Sequence, residues 1–322
     1  MTVLLTIVGL LAACLLIMAL WTRRLTRQGA HIVPQLGRIV PVDGGSIHYV
    51  EQGHPVNPTI VMIHGLSGQL QHFTYALTED LAKDFHVLAV DRPGCGYSTR
   101  DSAELAALPE QARMIHEFLD IKGVQNALLV GHSLGGAVAL AMALDYPDKT
   151  RALALLAPLT QEMPQTPAVF KPLEIRTEWL RNLIGHTIAV PLARKTAPLV
   201  LRDVFTPEPA PADFLDRAGG ALGLRPSAFI TASQDVIGVE TSLPALCKRY
   251  KDLHVHGGIL FGAKDPILSA SEHGTTMMQF GLSSEVLEDR GHMILITAPE
   301  ACSDFIRRIA STDPAQTAET KP

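Results

Sequence analysis

Residues 127–136 read Ala-Leu-Leu-Val-Gly-His-Ser-Leu-Gly-Gly, and this decapeptide restricts the fold more than any other stretch of the chain. Ala127 to Val130 is an apolar run of strand length, and Val138, Leu140, Ala141 and Leu144 follow at helical spacing. Between them Ser133 stands in a G-x-S-x-G arrangement, in the strand–turn–helix setting that such a serine needs. A serine at the tip of so tight a turn takes a strained backbone conformation, and side chains at the flanking positions would collide with the neighbouring strand and helix. Glycine removes those collisions, leaving the hydroxyl exposed above the sheet at the positive end of the new helix.

A serine hydroxyl is a weak nucleophile at neutral pH. It needs a base to take its proton and a third group to orient that base. The sequence supplies both downstream. The apolar run ending Ile259-Leu260-Phe261 predicts a strand, with Asp265 in the loop after it. Glu285-Val286-Leu287 predicts another strand, with Gly291-His292 in the loop beyond. Strand-end loops are where α/β sheets place their chemistry. His292 is therefore the expected general base and Asp265 its orienting carboxylate. Asp289 is the rival acid, but it shares the histidine's own loop. The strand Ala152–Leu156 runs into Ala157-Pro158 and offers no acid. Two backbone amides should hold the oxyanion: that of Leu134, directly after the nucleophile, and that of Leu66, in the loop His64-Gly65-Leu66-Ser67-Gly68 after the buried strand Thr59–Ile63.

Four segments together resemble the α/β-hydrolase family: His64-Gly65; Asp91-Arg-Pro-Gly94 with Gly96-Tyr97-Ser98; Gly131 to Gly136; and Gly262 to Asp265 with Gly291-His292. The resemblance covers roughly residues 38–310. It implies a mostly parallel eight-stranded sheet flanked by helices and a Ser-Asp-His machine made of Ser133, Asp265 and His292. Relatives with Asp as nucleophile hydrolyse epoxides or haloalkanes; a serine here points to acyl chemistry. A carboxylic ester is the expected substrate, with a lipid-derived ester as one option. A thioester or a carbon–carbon bond could be cleaved by the same residues, and a hydrolase-like ligand receptor with little turnover is the non-enzymatic alternative. No metal or organic cofactor is implied.

The net charge of −5 and the absence of a basic stripe argue against nucleic acid as a partner, and the small-molecule ester stands as the expected one. Four scattered cysteines, Cys14, Cys95, Cys247 and Cys302, have no metal-ligand spacing and fit thiols in a reducing compartment. Residues 2–21 carry no charge and are long enough to cross a bilayer as a helix. Trp21 sits where an interfacial aromatic would, and Arg23, Arg24 and Arg27 follow. No Lys or Arg precedes the apolar run, so an uncleaved anchor is expected rather than a signal peptide, despite the lipoprotein-like Leu11-Ala-Ala-Cys14. The positive-inside rule then places the rest of the chain on the cytoplasmic side.

The expected organisation is an anchor with its basic flank (1–27), a linker (28–37), a hydrolase core (38–158 and 241–310), an inserted helical cap (159–240) and a disordered tail (311–322). The cap is inferred from length, because 100 residues separate two strands where one crossover needs about 30. Its apolar residues, among them Phe170, Trp179, Leu183, Phe205 and Phe214, should form the cap's own core. Some could instead line an acyl pocket, and Trp179-Leu180 with Leu183-Ile184 could touch the membrane. Helices are expected at 75–83, 104–120, 133–145, 269–280 and 299–310, the last opened by a capping box of Thr297 and Glu300.

Overall fold

A computed structural model describes residues 1–312. The expected disordered tail lies outside them except for its first two residues. Nine strands form one sheet: β1 (Arg38–Val42), β2 (Gly45–Gln52), β3 (Thr59–Ile63), β4 (His86–Val90), β5 (Thr99–Arg100), β6 (Ala127–His132), β7 (Thr150–Leu156), β8 (His256–Gly262) and β9 (Leu282–Leu287). Their order is β1-β2-β4-β3-β6-β7-β8-β9, with the two-residue β5 paired to β2. The eight expected strands are thus present and β5 is an addition. Strands β1 and β2 form a hairpin across Asp43-Gly44, and β2 meets β4 antiparallel; from β4 onward every pairing is parallel. Consequently the carboxyl ends of β3, β4, β6, β7, β8 and β9 all open on one side, and the loops bearing the candidate site residues meet there.

The helices are α1 (Thr2–Ile32), α2 (Gln71–Thr74), α3 (Thr78–Leu81), α4 (Leu108–Ile121), α5 (Leu134–Asp145), α6 (Glu178–Ile184), α7 (Val190–Phe205), α8 (Pro226–Cys247), α9 (Ala270–His273), α10 (Ile294–Thr297) and α11 (Pro299–Ser311). Residues 134–143 of α5 are buried on every side, as a helix must be when it packs under the centre of a sheet and against α4. The parallel strands β3, β4, β6 and β7 are almost wholly apolar and buried, since helices cover both faces.

Several expectations need correction. The stretch 75–83 holds only the four-residue α3, with α2 ending before it, and 269–280 is broken into α9 and a 3₁₀ piece over Thr275–Phe280. The capping box does not form: the N-cap of α11 is Ala298, and the Thr297 hydroxyl donates instead to Glu208 Oε1 at 2.7 Å. Nor does a linker begin at residue 28. Helix α1 runs unbroken to Ile32, because charged residues end an apolar span without ending a helix. Its last part packs onto the cap: Thr22 Oγ1 donates to Thr187 O at 2.8 Å, and Leu25 clusters with Val190 and Leu224. The cap's last helix, α8, continues past residue 240 to Cys247.

Within the cap the aromatic residues divide. Phe205 and Phe214 are buried and stack edge to face at 5.2 Å, joining the main core. Trp179 is 67% exposed and Leu183 also faces outward. The first part of α1, residues 2–21, touches little of the protein and is the one helix, among the described residues, long and apolar enough to cross a membrane.

Candidate active site

Ser133 sits between β6 and α5 at φ +53° and ψ −123°, a conformation that costs a non-glycine residue on the order of 1–3 kcal/mol. The turn tolerates it because the glycines packed around it, Gly131, Gly135 and Gly65, have no side chains. A Cβ at Gly131 would lie 2.6 Å from Gly135 O, and one at Gly65 would lie 2.9 Å from the Ser133 Cβ. The second approach also shows how closely the loop after β3 is pressed against the serine. Leu66, Ser133 and Leu134 line a cavity of about 170 Å³, together with apolar residues that include Phe170, Val239 and Leu243. The Leu134 amide opens α5 and is one of the N–H groups that helix geometry leaves without an intrahelical acceptor.

Asp265, after β8, and His292, after β9, meet across adjacent strand ends. His292 Nδ1 lies 2.7 Å from Asp265 Oδ2, with both side chains almost fully buried. The other carboxylate oxygen accepts from the amides of Ile267 at 2.8 Å and Leu268 at 2.9 Å. Three hydrogen bonds thus fix the carboxylate, and the carboxylate fixes the imidazole with Nδ1 as the protonated nitrogen. His132, the residue before the serine, stacks obliquely on His292 at 5.0 Å between ring centroids and donates from Nε2 to the His292 carbonyl at 3.2 Å. Burial pushes the His132 imidazole well below its ordinary pKa, with the nearby His292 adding to the effect, so it stays neutral. Among the described residues no hydrogen bond joins Ser133 Oγ to His292; sites of this kind commonly tighten only when substrate arrives.

The rival acid Asp289 stands 86% exposed on the surface, paired with Lys264 Nζ at 2.6 Å. Cys95 is buried, and burial raises its thiol to about 12, which removes it as a nucleophile. The site also depends on a residue that sequence reading passed over. Glu208, in the chain leaving α7, accepts from the Gly291 amide at 2.9 Å as well as from Thr297. It clamps the loop on both sides of His292. Nothing local marks it, because its partners lie more than 80 residues away in the chain.

A sequence profile of the family described as alpha/beta hydrolase fold matches residues 58–199. The human monoacylglycerol lipase ABHD6 is 26% identical over 289 residues, which span 82% of this chain and 80% of that protein. A dihydrolipoyllysine-residue acetyltransferase component of an acetoin cleaving system, from Cupriavidus necator, is 36% identical over 118 residues. That match takes in 37% of this chain and only 31% of the relative. The crystal structure of a membrane phospholipase A, a bacterial virulence factor, superposes with a TM-score of 0.67 at 24% identity, over 97% of this chain and 99% of that one.

Proposed function

Because this chain is an α/β-hydrolase-fold protein, we propose that it is a membrane-anchored carboxylic ester hydrolase that works through an acyl-enzyme on Ser133. The observation that carries this reading is the Asp265–His292 bond at 2.7 Å, set across the strand ends from a serine in a strained turn that opens on an apolar cavity. With Nδ1 held by Asp265, His292 has Nε2 left to accept the Ser133 proton as Oγ attacks the ester carbonyl. Asp265 keeps the imidazole in that tautomer and stabilises the imidazolium that forms. The amides of Leu66 and Leu134 receive the negative oxygen of the tetrahedral intermediate. His292 then hands its proton to the departing alcohol, and in the second half it draws a proton from water to release the acid.

The cavity favours an apolar acyl group: an apolar cavity of about 150 Å³ already accommodates benzene, and this one is similar in size. A monoacylglycerol-like ester fits that chemistry, in keeping with the relative named a monoacylglycerol lipase. Residues 2–21 would hold the enzyme in the bilayer, and Arg23, Arg24 and Arg27 would set the catalytic domain on the cytoplasmic side.

Labelling by a fluorophosphonate probe tests the mechanism. Wild-type protein should react and Ser133→Ala should not; folded wild-type protein that fails to label would overturn the reading. The anchor is tested by deleting residues 2–20, a cut that spares Thr22 and Leu25 where they pack on the cap. Activity on esters embedded in vesicles should fall far more than activity on a soluble ester, and equal losses would refute the anchor's role in substrate access.

A further inference from the structure

Among the side chains by which the cap meets the core, one carries a fully buried carboxylate. Asp235, on α8, is completely buried; its Oδ2 accepts from Arg92 at 2.8 Å and its Oδ1 from Arg100 at 2.7 Å. Arg92 follows β4 and is completely buried as well. Its other donors all stay inside the protein: NH1 also reaches Gln111 Oε1 at 2.8 Å, Nε donates to His64 O at 2.8 Å, and NH2 donates to Gly65 O at 3.0 Å.

The last of these contacts bears on catalysis. The Gly65 carbonyl and the Leu66 N–H belong to one planar peptide unit, so whatever fixes the carbonyl fixes the direction of the amide. Two further donors complete the hold: His64 Nδ1 lies 2.9 Å from Gly65 O, and the Gly68 amide donates to it at 3.2 Å. His64 Nε2 meanwhile accepts from the Arg92 amide at 2.9 Å, so the ring is in its neutral Nδ1–H form. Burial, reinforced by the Arg92 charge, depresses the His64 pKa well below its ordinary value and agrees with that tautomer. The peptide is therefore gripped from its carbonyl side by three groups, and two of them, the Arg92 guanidinium and the His64 ring that the Arg92 amide holds, depend on Arg92. On the helix that orients Arg92, Val236, Val239 and Leu243 line the cavity beside Ser133.

We propose that Arg92, oriented by Asp235 of the cap, is a positioning residue that aims the Leu66 amide at the oxyanion and ties that aim to the cap helix forming the acyl-pocket wall. This rests on the ester-hydrolase reading for its chemistry, though not for its geometry. The test compares Asp235→Asn and Arg92→Lys with Arg100→Lys, a residue that donates to the other oxygen of Asp235 and otherwise to Pro93 O and Gln234 Oε1. On a short soluble nitrophenyl ester, the first two should lose about 10–100-fold in kcat with KM within about twofold. Their affinity for a trifluoromethyl ketone, which presents the serine adduct's oxyanion, should fall by the same factor, while Arg100→Lys stays within about threefold of wild type in kcat.

Hydrogen exchange supplies a readout independent of activity. Protection of the amides in residues 64–68 should drop in Asp235→Asn and Arg92→Lys, with β6 and β8 unchanged. Unchanged protection at 64–68 would overturn the proposal even if the protein hydrolysed no ester. So would ketone affinity that stays at the wild-type level, or a loss of kcat that Arg100→Lys shares in proportion to lost thermal stability. If Asp235→Asn does not fold, Arg92→Lys carries the same comparison. A wild-type protein that neither labels with fluorophosphonate nor hydrolyses esters would refute the enzymatic reading alone, leaving the exchange result to decide this one.

Discussion

Two aspartate–histidine pairs stand at the carboxyl ends of strands in this sheet, and by the distance between them they cannot be told apart. Asp265 Oδ2 lies 2.7 Å from His292 Nδ1, and Asp91 Oδ2 lies 2.7 Å from His48 Nδ1. In both, the second carboxylate oxygen is held by backbone: Ile267 and Leu268 for one, Leu70 for the other. The difference lies at the far nitrogen of each ring. In His48, Nε2 is closed off against the Leu36 carbonyl, and no surface of either partner is exposed. In His292 that nitrogen has no such carbonyl partner among the described residues, and the ring lies against His132, beside the serine turn. One pair is a fastening that ties the segment after α1 to the sheet; the other is a candidate machine. A carboxylate–imidazole contact acquires catalytic meaning from what the other side of the ring can reach.

The comparison can be broken at several points. His292→Ala should lower kcat on a soluble ester by about 10⁶-fold, as removal of a triad histidine does elsewhere, with the melting temperature little changed. Asp265→Asn should cost about 10⁴-fold by favouring the wrong tautomer. The same change at the other pair, Asp91→Asn, should leave kcat within about tenfold. It should instead cost about 3–5 kcal/mol of stability in urea unfolding, because it removes one partner of a buried charge pair. A catalytic loss at Asp91 as large as that at Asp265 would erase the distinction drawn here.

Acid should sharpen it further. Burial lowers His72 and His273 to about 4 and pushes His64 and His132 well below their ordinary range. The unfolded chain therefore binds more protons than the folded one between about pH 6.5 and 4. Stability should fall as pH drops through that window, on the order of 1 kcal/mol per pH unit for each such group. His48 runs the other way. Burial opposes its charge, but the Asp91 hydrogen bond and charge outweigh burial and raise its pKa. Its contribution is fully present below about pH 6.5 and fades as pH rises through the raised value. Guanidinium unfolding across pH 4–8 checks both signs, and Asp91→Asn should abolish the second. The smallest effect belongs to Glu208→Gln, which weakens two hydrogen bonds to the His292 loop and should cost about 1–3 kcal/mol.

Much of the candidate site was legible because its grammar is local. Gly131, Ser133 and Gly135 can be read from one another, and Asp265 and His292 from the apolar runs that precede them. The fastenings were not legible, because each joins residues that chain order separates: Arg92 to Asp235 across 143 positions, Thr297 to Glu208 across 89. A local rule failed at α11 because Thr297 is still part of α10, so the break in helical backbone, and with it the N-cap, falls at Ala298. The inner boundary of the cap was hidden for a related reason, since α8 serves the cap with one turn and the core with the next, and no change in composition marks the transition.

Helix α1 has one more consequence. At about 1.5 Å per residue its 31 residues make a rod roughly 46 Å long, and only its last third is fastened to the cap. For a chain anchored as proposed, the catalytic domain does not trail from the bilayer on a flexible leash. Its altitude above the lipid is set by a rigid mast, and the tilt of the mast is the tilt of the active-site mouth. Turning about the mast's own axis would then carry the active-site mouth around a circle of lipid, as a rotor sweeps a surface.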